Sequence, residues 1–220
     1  MNVLIFGATG MVGQGVLREC LLDTGVQIVK TVGRTATEVR DGKLREVIHQ
    51  DLFNYSSIES ELSGFDACFF CLGITSAGMQ EADYERVTYG ITMAAAETLS
   101  RLNPQMTFVY VSGAGTDSSE QGRVMWARVK GKTENALLRL PFKAAYMFRP
   151  GIIQPVKGVR SKTTAYRIFY VLTKPLLPLA RWAFPNYVLT TEQIGLAMLA
   201  VARRGAAKQV LESGDINVAA

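Results

Sequence analysis

Gly7, Gly10 and Gly13, in the run Gly7-Ala-Thr-Gly10-Met-Val-Gly13, stand at a spacing that lets main chain close around a phosphate group. The first glycine permits a tight turn. The second lets backbone approach an anion with no Cβ in the way, and the third lets a following helix pack close to a sheet. Thr9 in the loop and Met11 and Val12 at the helix start complete the expected contacts, because N–H groups there face the anion with the positive end of the helix dipole behind them. A bare glycine triplet carries little information; here the apolar run Asn2–Phe6 precedes it and the helical pattern Val12, Val16, Leu17, Cys20, Leu21 follows. Strand, glycine loop and helix in that order fit a bound dinucleotide, and the bland alternative is a strand-to-helix turn with no ligand.

Two other constellations are read as structural. Cys68-Phe-Phe-Cys71 has the spacing of a metal or redox pair, but it lies in an apolar run that reads as a strand, where residues three apart point to opposite faces. The single histidine, His49, has no cysteine or carboxylate cluster of metal-ligand spacing around it, so no metal site is expected.

With 220 residues, 48% of them hydrophobic, the chain is long enough for one sizeable core and too short for two full-size domains, so residues 1–220 are read as one domain. The formal net charge of +5 favours anionic ligands. A phosphorylated cofactor satisfies it, and without a basic run interleaved with aromatics no nucleic acid is expected. Three cysteines are too few for a disulfide framework and suit a reducing compartment. The chain opens directly on a core strand, from which a cytoplasmic location is expected. Lys174 and Arg181 interrupt the most apolar part of the C-terminal third, so no integral membrane segment is expected.

The glycine loop needs a frame to hold it. Strands are predicted over 26–32, 44–49, 67–72, 107–111 and 144–148, with helices over 83–102, 124–140 and 191–203. Such alternation predicts an α/β fold, a doubly wound parallel sheet of the Rossmann kind with ligand at the carboxyl ends of the strands. After Arg149-Pro150-Gly151 the pattern changes: the C-terminal third reads as having no sheet of its own, with residues 152–190 as a small, mainly helical cap. Within it Tyr166, Phe169, Tyr170 and Trp182 alternate with Arg167, Lys174 and Arg181. A pocket wall is favoured over an anionic membrane surface, because Pro175, Pro178 and Pro185 break the long amphipathic helix that peripheral membrane contact prefers.

With these residues placed, the chain resembles the atypical short-chain dehydrogenase/reductase group of NAD(P)-binding proteins. Within it the likeness is to small proteins of the Tat-interacting oxidoreductase type, with NmrA-like regulators as cousins. The resemblance runs from Met1 to about Gly151. It implies that Arg34, where an acidic residue would hold the ribose of NAD, contacts the 2′-phosphate of NADP(H). It implies that Asp51 and Leu52 lie against the adenine, that Leu72 and Gly73 pass the nicotinamide ribose, and that Ser112 and Lys130 are the catalytic serine and lysine, Lys130 also holding the ribose.

In the family's Tyr-x-x-x-Lys motif the phenol exchanges a proton, and residues four apart share one helix face. Here Trp126 stands at the tyrosine position, and an indole N–H does not exchange a proton usefully near neutral pH. Tyr84, Tyr89, Ser118 and Ser119 are the substitute donors that the sequence offers. Three readings stay open. Ser112 and Lys130 favour an NADP(H)-dependent oxidoreductase acting on a small carbonyl or hydroxyl substrate, with the proton from Ser112, water or an unassigned tyrosine. Trp126 favours a non-catalytic protein that senses NADP(H), and NAD-dependent epimerase or isomerase chemistry on the same fold is the third.

Overall fold

The computed structural model describes residues 1–159 and 187–220. The strands are β1 (Asn2–Phe6), β2 (Ile28–Gly33), β3 (Leu44–Ile48), β4 (Ala67–Phe70), β5 (Thr107–Val111), β6 (Ala144–Arg149), β7 (Ile152–Gln154), β8 (Val188–Thr190) and β9 (Val210–Glu212). Seven of them form one sheet in the order β3-β2-β1-β4-β5-β6-β9, every neighbouring pair parallel. This is the predicted doubly wound Rossmann-like sheet. Its order reverses between β1 and β4, and ligand crevices open at such a switch point.

Central parallel strands are covered on both faces and therefore read as continuous apolar runs. Val3, Leu4, Ile5 and Phe6 are all fully buried, yet they divide between two cores with the strand's period of two. Val3, Ile5, Phe69 and Val109 meet Val16, Leu17 and Cys20 of helix α1 (Met11–Leu22) on one face. Leu4, Phe6, Cys68, Phe70, Phe108 and Tyr110 build the other, under helix α3 (Ile91–Leu102). Cys68 and Cys71 pack on opposite cores, as the strand geometry predicted.

The helix predicted over 83–102 is interrupted. Helix α2 (Glu81–Glu85) passes into a π turn over Arg86–Gly90 before α3 begins. The Thr92 hydroxyl donates to the Thr88 carbonyl at 2.6 Å, and such back-bonding competes with the regular helical ladder. Helix α4 (Met125–Leu137) ends three residues before the predicted end at 140. Arg139 and Leu140 instead donate to carbonyls three residues back, which tightens the chain before Pro141.

The expectation that the C-terminal third lacks a sheet is corrected. β9 extends the main sheet beside β6, and β7 pairs with β8 as a separate two-stranded sheet. β9 has only three residues and one buried side chain, too short for a periodic signal. The helical C-terminal part is present as α5 (Thr191–Arg204) and α6 (Ser213–Ala219). Helix α5 packs on α1: a Cβ on Gly15 would lie 2.6 Å from the Thr191 Cβ, and one on Gly195 would lie 2.8 Å from the Glu19 Cγ. Arg203 closes the pair with two hydrogen bonds to Asp23, at 2.5 and 2.9 Å. The pocket-wall assignment for Tyr166, Phe169, Tyr170 and Trp182 falls on residues outside those described.

Gly131 in α4 faces the sharpest steric limit. A Cβ there would lie 1.8 Å from the Asp117 carbonyl oxygen, and its nearest neighbours are main-chain atoms of the Asp117–Ser118 peptide, with no flexible side chain to give way. Gly131→Ala is expected to destabilise the protein by about 3 kcal/mol or more, measured by urea unfolding. A loss below about 1 kcal/mol would show that the contact relaxes.

Candidate active site

The site grows from the turn between β1 and α1. Gly7 has φ +77°, and a Cβ on it would lie 2.6 Å from the Leu72 N and 2.8 Å from the Cys71 carbonyl oxygen, so the first glycine sits tight against the end of β4. A Cβ on Gly13 would lie 2.1 Å from the Gly7 carbonyl oxygen, which gives the third glycine its packing role. The N-cap of α1 is Gly10, and no side chain caps the helix. The first-turn N–H groups have no carbonyl partner within the helix, and at an uncapped end they suit an anion.

These groups open on a cleft of about 990 Å³ along the carboxyl ends of the strands. Gly7, Thr9, Gly10, Met11, Val12, Arg34, Leu52, Leu72, Gly73, Ser112 and Lys130, all singled out from sequence, line it. Gly13 and Asp51 do not line it. Gly13 lies behind the turn, and the Asp51 carboxylate instead accepts the Phe53 N–H at 2.9 Å, closing a local turn. Sequence reasoning missed Thr31, Thr35, Thr37 and Gln50 around Arg34, and Pro150, Gly151 and Ile153 at the opposite end. The change of pattern after Arg149-Pro150-Gly151 was the one available signal for the second group.

Arg34 follows β2, is exposed, and makes no ion pair among the described residues. Gln50 donates to its carbonyl at 3.0 Å, fixing the backbone beneath it. Lys130 lies towards the β5 and β6 end. It is partly buried and donates to the Ser112 carbonyl at 2.7 Å, with the Tyr110 ring 5.8 Å below. Burial pushes the Lys130 ammonium down to about 8, while the Glu134 carboxylate one helical turn away pushes it back up.

Ser112 is where the sequence expected it, but its hydroxyl is turned to the interior. The Oγ donates to Glu134 Oε1 at 2.5 Å, with the Phe148 carbonyl at 3.1 Å as a second acceptor. Glu134 is nearly fully buried and paired with Arg149, whose Nε and Nη2 reach its two oxygens. Arg149 also bonds Ser118 at 2.5 Å and Glu212 at 3.2 Å. The Ser112 hydroxyl is thus engaged by a structural network, although the residue lines the cleft.

The substitute donors are also placed elsewhere. Tyr84 is buried, Tyr89 lies under Lys132, and Ser119 donates to Asp117 at 2.6 Å; none of these, nor Ser118, lines the cleft. Trp126 does not line it either, and its ring lies 3.7 Å from the place of a Cβ on Gly115. Cys71 lines the cleft, with its thiol pushed up to about 12 by burial. His49 bonds the Asn54 carbonyl at 2.7 Å, and no group of metal-ligating side chains occurs among the described residues.

Comparison with known proteins agrees with the geometry. A family model described as NAD(P)H-binding matches residues 7–140. The chain is 28% identical over 221 residues to Protein FMP52-1, mitochondrial, of Scheffersomyces stipitis, covering 98% of this chain and 92% of that one. Among solved structures, Bordetella bronchiseptica WbmF in complex with NAD+ aligns with a TM-score of 0.68 at 15% identity, over 99% of this chain and 76% of that one. A Saccharomyces cerevisiae short-chain dehydrogenase/reductase aligns at 0.62 and 14% identity, over 97% and 96%. Both share the fold. The cytoplasmic location expected from the sequence is overturned, because FMP52-1 and further FMP52 relatives are named mitochondrial proteins. No helix among the described residues is long and apolar enough to cross a membrane.

The depressed Lys130 pKa fixes a dependence of stability on pH. Between about pH 8 and 10.5 the native state has released this proton and the unfolded chain still binds it, so wild-type stability rises with pH in that window. Lys130→Met removes the effect. The wild type is expected to gain on the variant by about 1.4 kcal/mol per pH unit across this interval, measured by urea unfolding. Parallel stability curves would contradict the assignment.

Proposed function

The chain belongs to the NAD(P)H-binding family, and on that premise we propose that it is an NADP(H)-dependent oxidoreductase acting on a small uncharged carbonyl or hydroxyl compound. The observation that carries this reading is one continuous cleft running from Arg34, past the uncapped start of α1, to Lys130. The close fit of Gly7 against the end of β4 leaves no room for a side chain at the turn.

In this reading the N–H groups of Met11, Val12 and Gly13 at the helix start hold the pyrophosphate, although Gly13 does not itself line the cleft. Thr9 and Gly10 shape the turn. Arg34 takes the 2′-phosphate, with Leu52 against the adenine, while Asp51 acts only through its local turn. Leu72 and Gly73 pass the nicotinamide ribose, and Lys130, held by the Ser112 carbonyl, donates to it. Bound NADPH supplies a hydride; the chain orients it towards the end lined by Val111, Ala114, Pro150 and Ile153. No charged side chain other than Lys130 is among the described residues at that end, which supports an uncharged substrate. The names of the FMP52 relatives support a mitochondrial location.

A second reading, a protein that binds NADP(H) without turnover, is favoured by Trp126 at the tyrosine position. Absorbance of NADPH against a panel of aldehydes, ketones and quinones separates the two, and binding without oxidation would select the second. Cofactor preference is tested by calorimetry with NADPH and NADH. Charge-assisted hydrogen bonds contribute about 1.5–3 kcal/mol, so NADPH should bind roughly one to two decades more tightly, and Arg34→Ala should abolish the difference. Equal affinities in the wild type, or a preference that survives Arg34→Ala, would overturn the NADP(H) assignment.

A further inference from the structure

Resting on the oxidoreductase reading above, we propose that Lys130 is itself the proton donor, its ammonium passing a proton directly to the substrate oxygen in place of the phenol whose position Trp126 holds. An ammonium carries three N–H donors. The Ser112 carbonyl takes one, at 2.7 Å, and Lys130 lines the cleft with the others available to what binds there.

The alternative donors that the sequence offered are spent or misplaced. The Ser112 proton is held by Glu134 and the Phe148 carbonyl. Tyr110, beneath Lys130, is bonded to Thr92 and Thr133, and burial pushes its phenol far up. Tyr84, Tyr89, Ser118 and Ser119 lie off the cleft. Of the ionisable side chains that line it, Arg34 is at the far end and does not release a proton, and the Cys71 thiol is pushed up to about 12.

The groups facing Lys130 are consistent with this role. Glu134 on α4 favours the ammonium, Tyr110 presents its ring from β5, and Arg149 on β6 is neutralised by Glu134 before its charge reaches the lysine. Against these, burial brings the group to about 8, where it is mostly charged near neutral pH and still able to let a proton go.

The step balances on this chain's own group. The carbonyl carbon accepts the hydride that reduced nicotinamide supplies, and the π pair of the C=O bond moves to oxygen. The oxygen takes a proton from Nζ; the N–H bond breaks, its electron pair stays on nitrogen, and the neutral amine regains a proton from solvent. One remaining N–H still donates to the Ser112 carbonyl, so the side chain keeps its place through the cycle.

Lys130→Arg tests this, because a guanidinium keeps the positive charge and the donors but releases no proton near neutral pH. With NADPH and the same carbonyl panel, kcat is expected to fall by about 100-fold or more, while the NADPH Kd changes by less than about fivefold. Lys130→Gln gives the same expected loss of kcat should the arginine fail to fold. A readout independent of turnover is trace acetylation of Lys130 in cofactor-free protein, followed by mass spectrometry across pH. Its midpoint is expected near 8, and a midpoint close to the ordinary lysine value of about 10.4 overturns the proposal. So does an arginine variant that turns over within about threefold of wild type, and in that case the oxidoreductase reading stands. If NADPH binds but the wild type oxidises it with no carbonyl of the panel, that reading falls and the proposal with it.

Discussion

The Glu134 carboxylate and the Arg149 guanidinium meet where α4, β5, β6 and β9 converge, and the Lys130 end of the cleft depends on that meeting. Taking two ions out of water costs several kcal/mol each, and their attraction offsets this only when the remaining hydrogen-bonding positions are filled. Here they are filled: Ser112 completes the carboxylate, and Ser118 and Glu212 take the outer nitrogens of the arginine. Because the same Ser112 offers its carbonyl to Lys130, the lysine is placed by a network whose charged members do not touch the cleft. The three-residue strand β9 is part of that network through Glu212, which ties the C-terminal region to the Lys130 end of the cleft.

Arg34 and Lys130 carry the same charge at opposite ends of the cleft, but their surroundings give those charges different worth. Arg34 is exposed, so solvent and salt screen its attraction, and it acts best as a discriminator between ligands of different charge. Lys130 is enclosed, where the effective dielectric is lower and each contact weighs more. In the proposed function, one end therefore selects and the other reacts.

Much of this was legible in the sequence, for reasons that can be named. The runs Val3-Leu-Ile-Phe6 and Thr107–Val111 are buried on both faces, and the glycine turn between β1 and α1 allows few alternatives. What could not be read depends on pairings distant in sequence. Ser112 stands at the end of its strand, but nothing near it announces that Glu134, 22 residues on, accepts its hydrogen bond. The resemblance puts Asp51 against the adenine, while nothing in the local sequence tells that its carboxylate closes its own turn and that Gln50 lines the cleft. The π turn at Arg86–Gly90 leaves the apolar periodicity around it nearly unchanged, so the helical pattern hid it.

The crossing of α1 and α5 has a consequence for how the chain is made. Val16, Leu17 and Cys20 of α1 share one apolar core with Ile194, Met198 and Leu199 of α5. These two sides of the core are separated by most of the sequence. At a synthesis rate of about 5–20 residues per second, the apolar stripe of α1 waits on the order of ten to thirty seconds after leaving the ribosome before its cover exists. Over that interval the helix that will face an anion presents to the cell's chaperones an uncovered hydrophobic segment, and the far end of the message sets how long they must hold it.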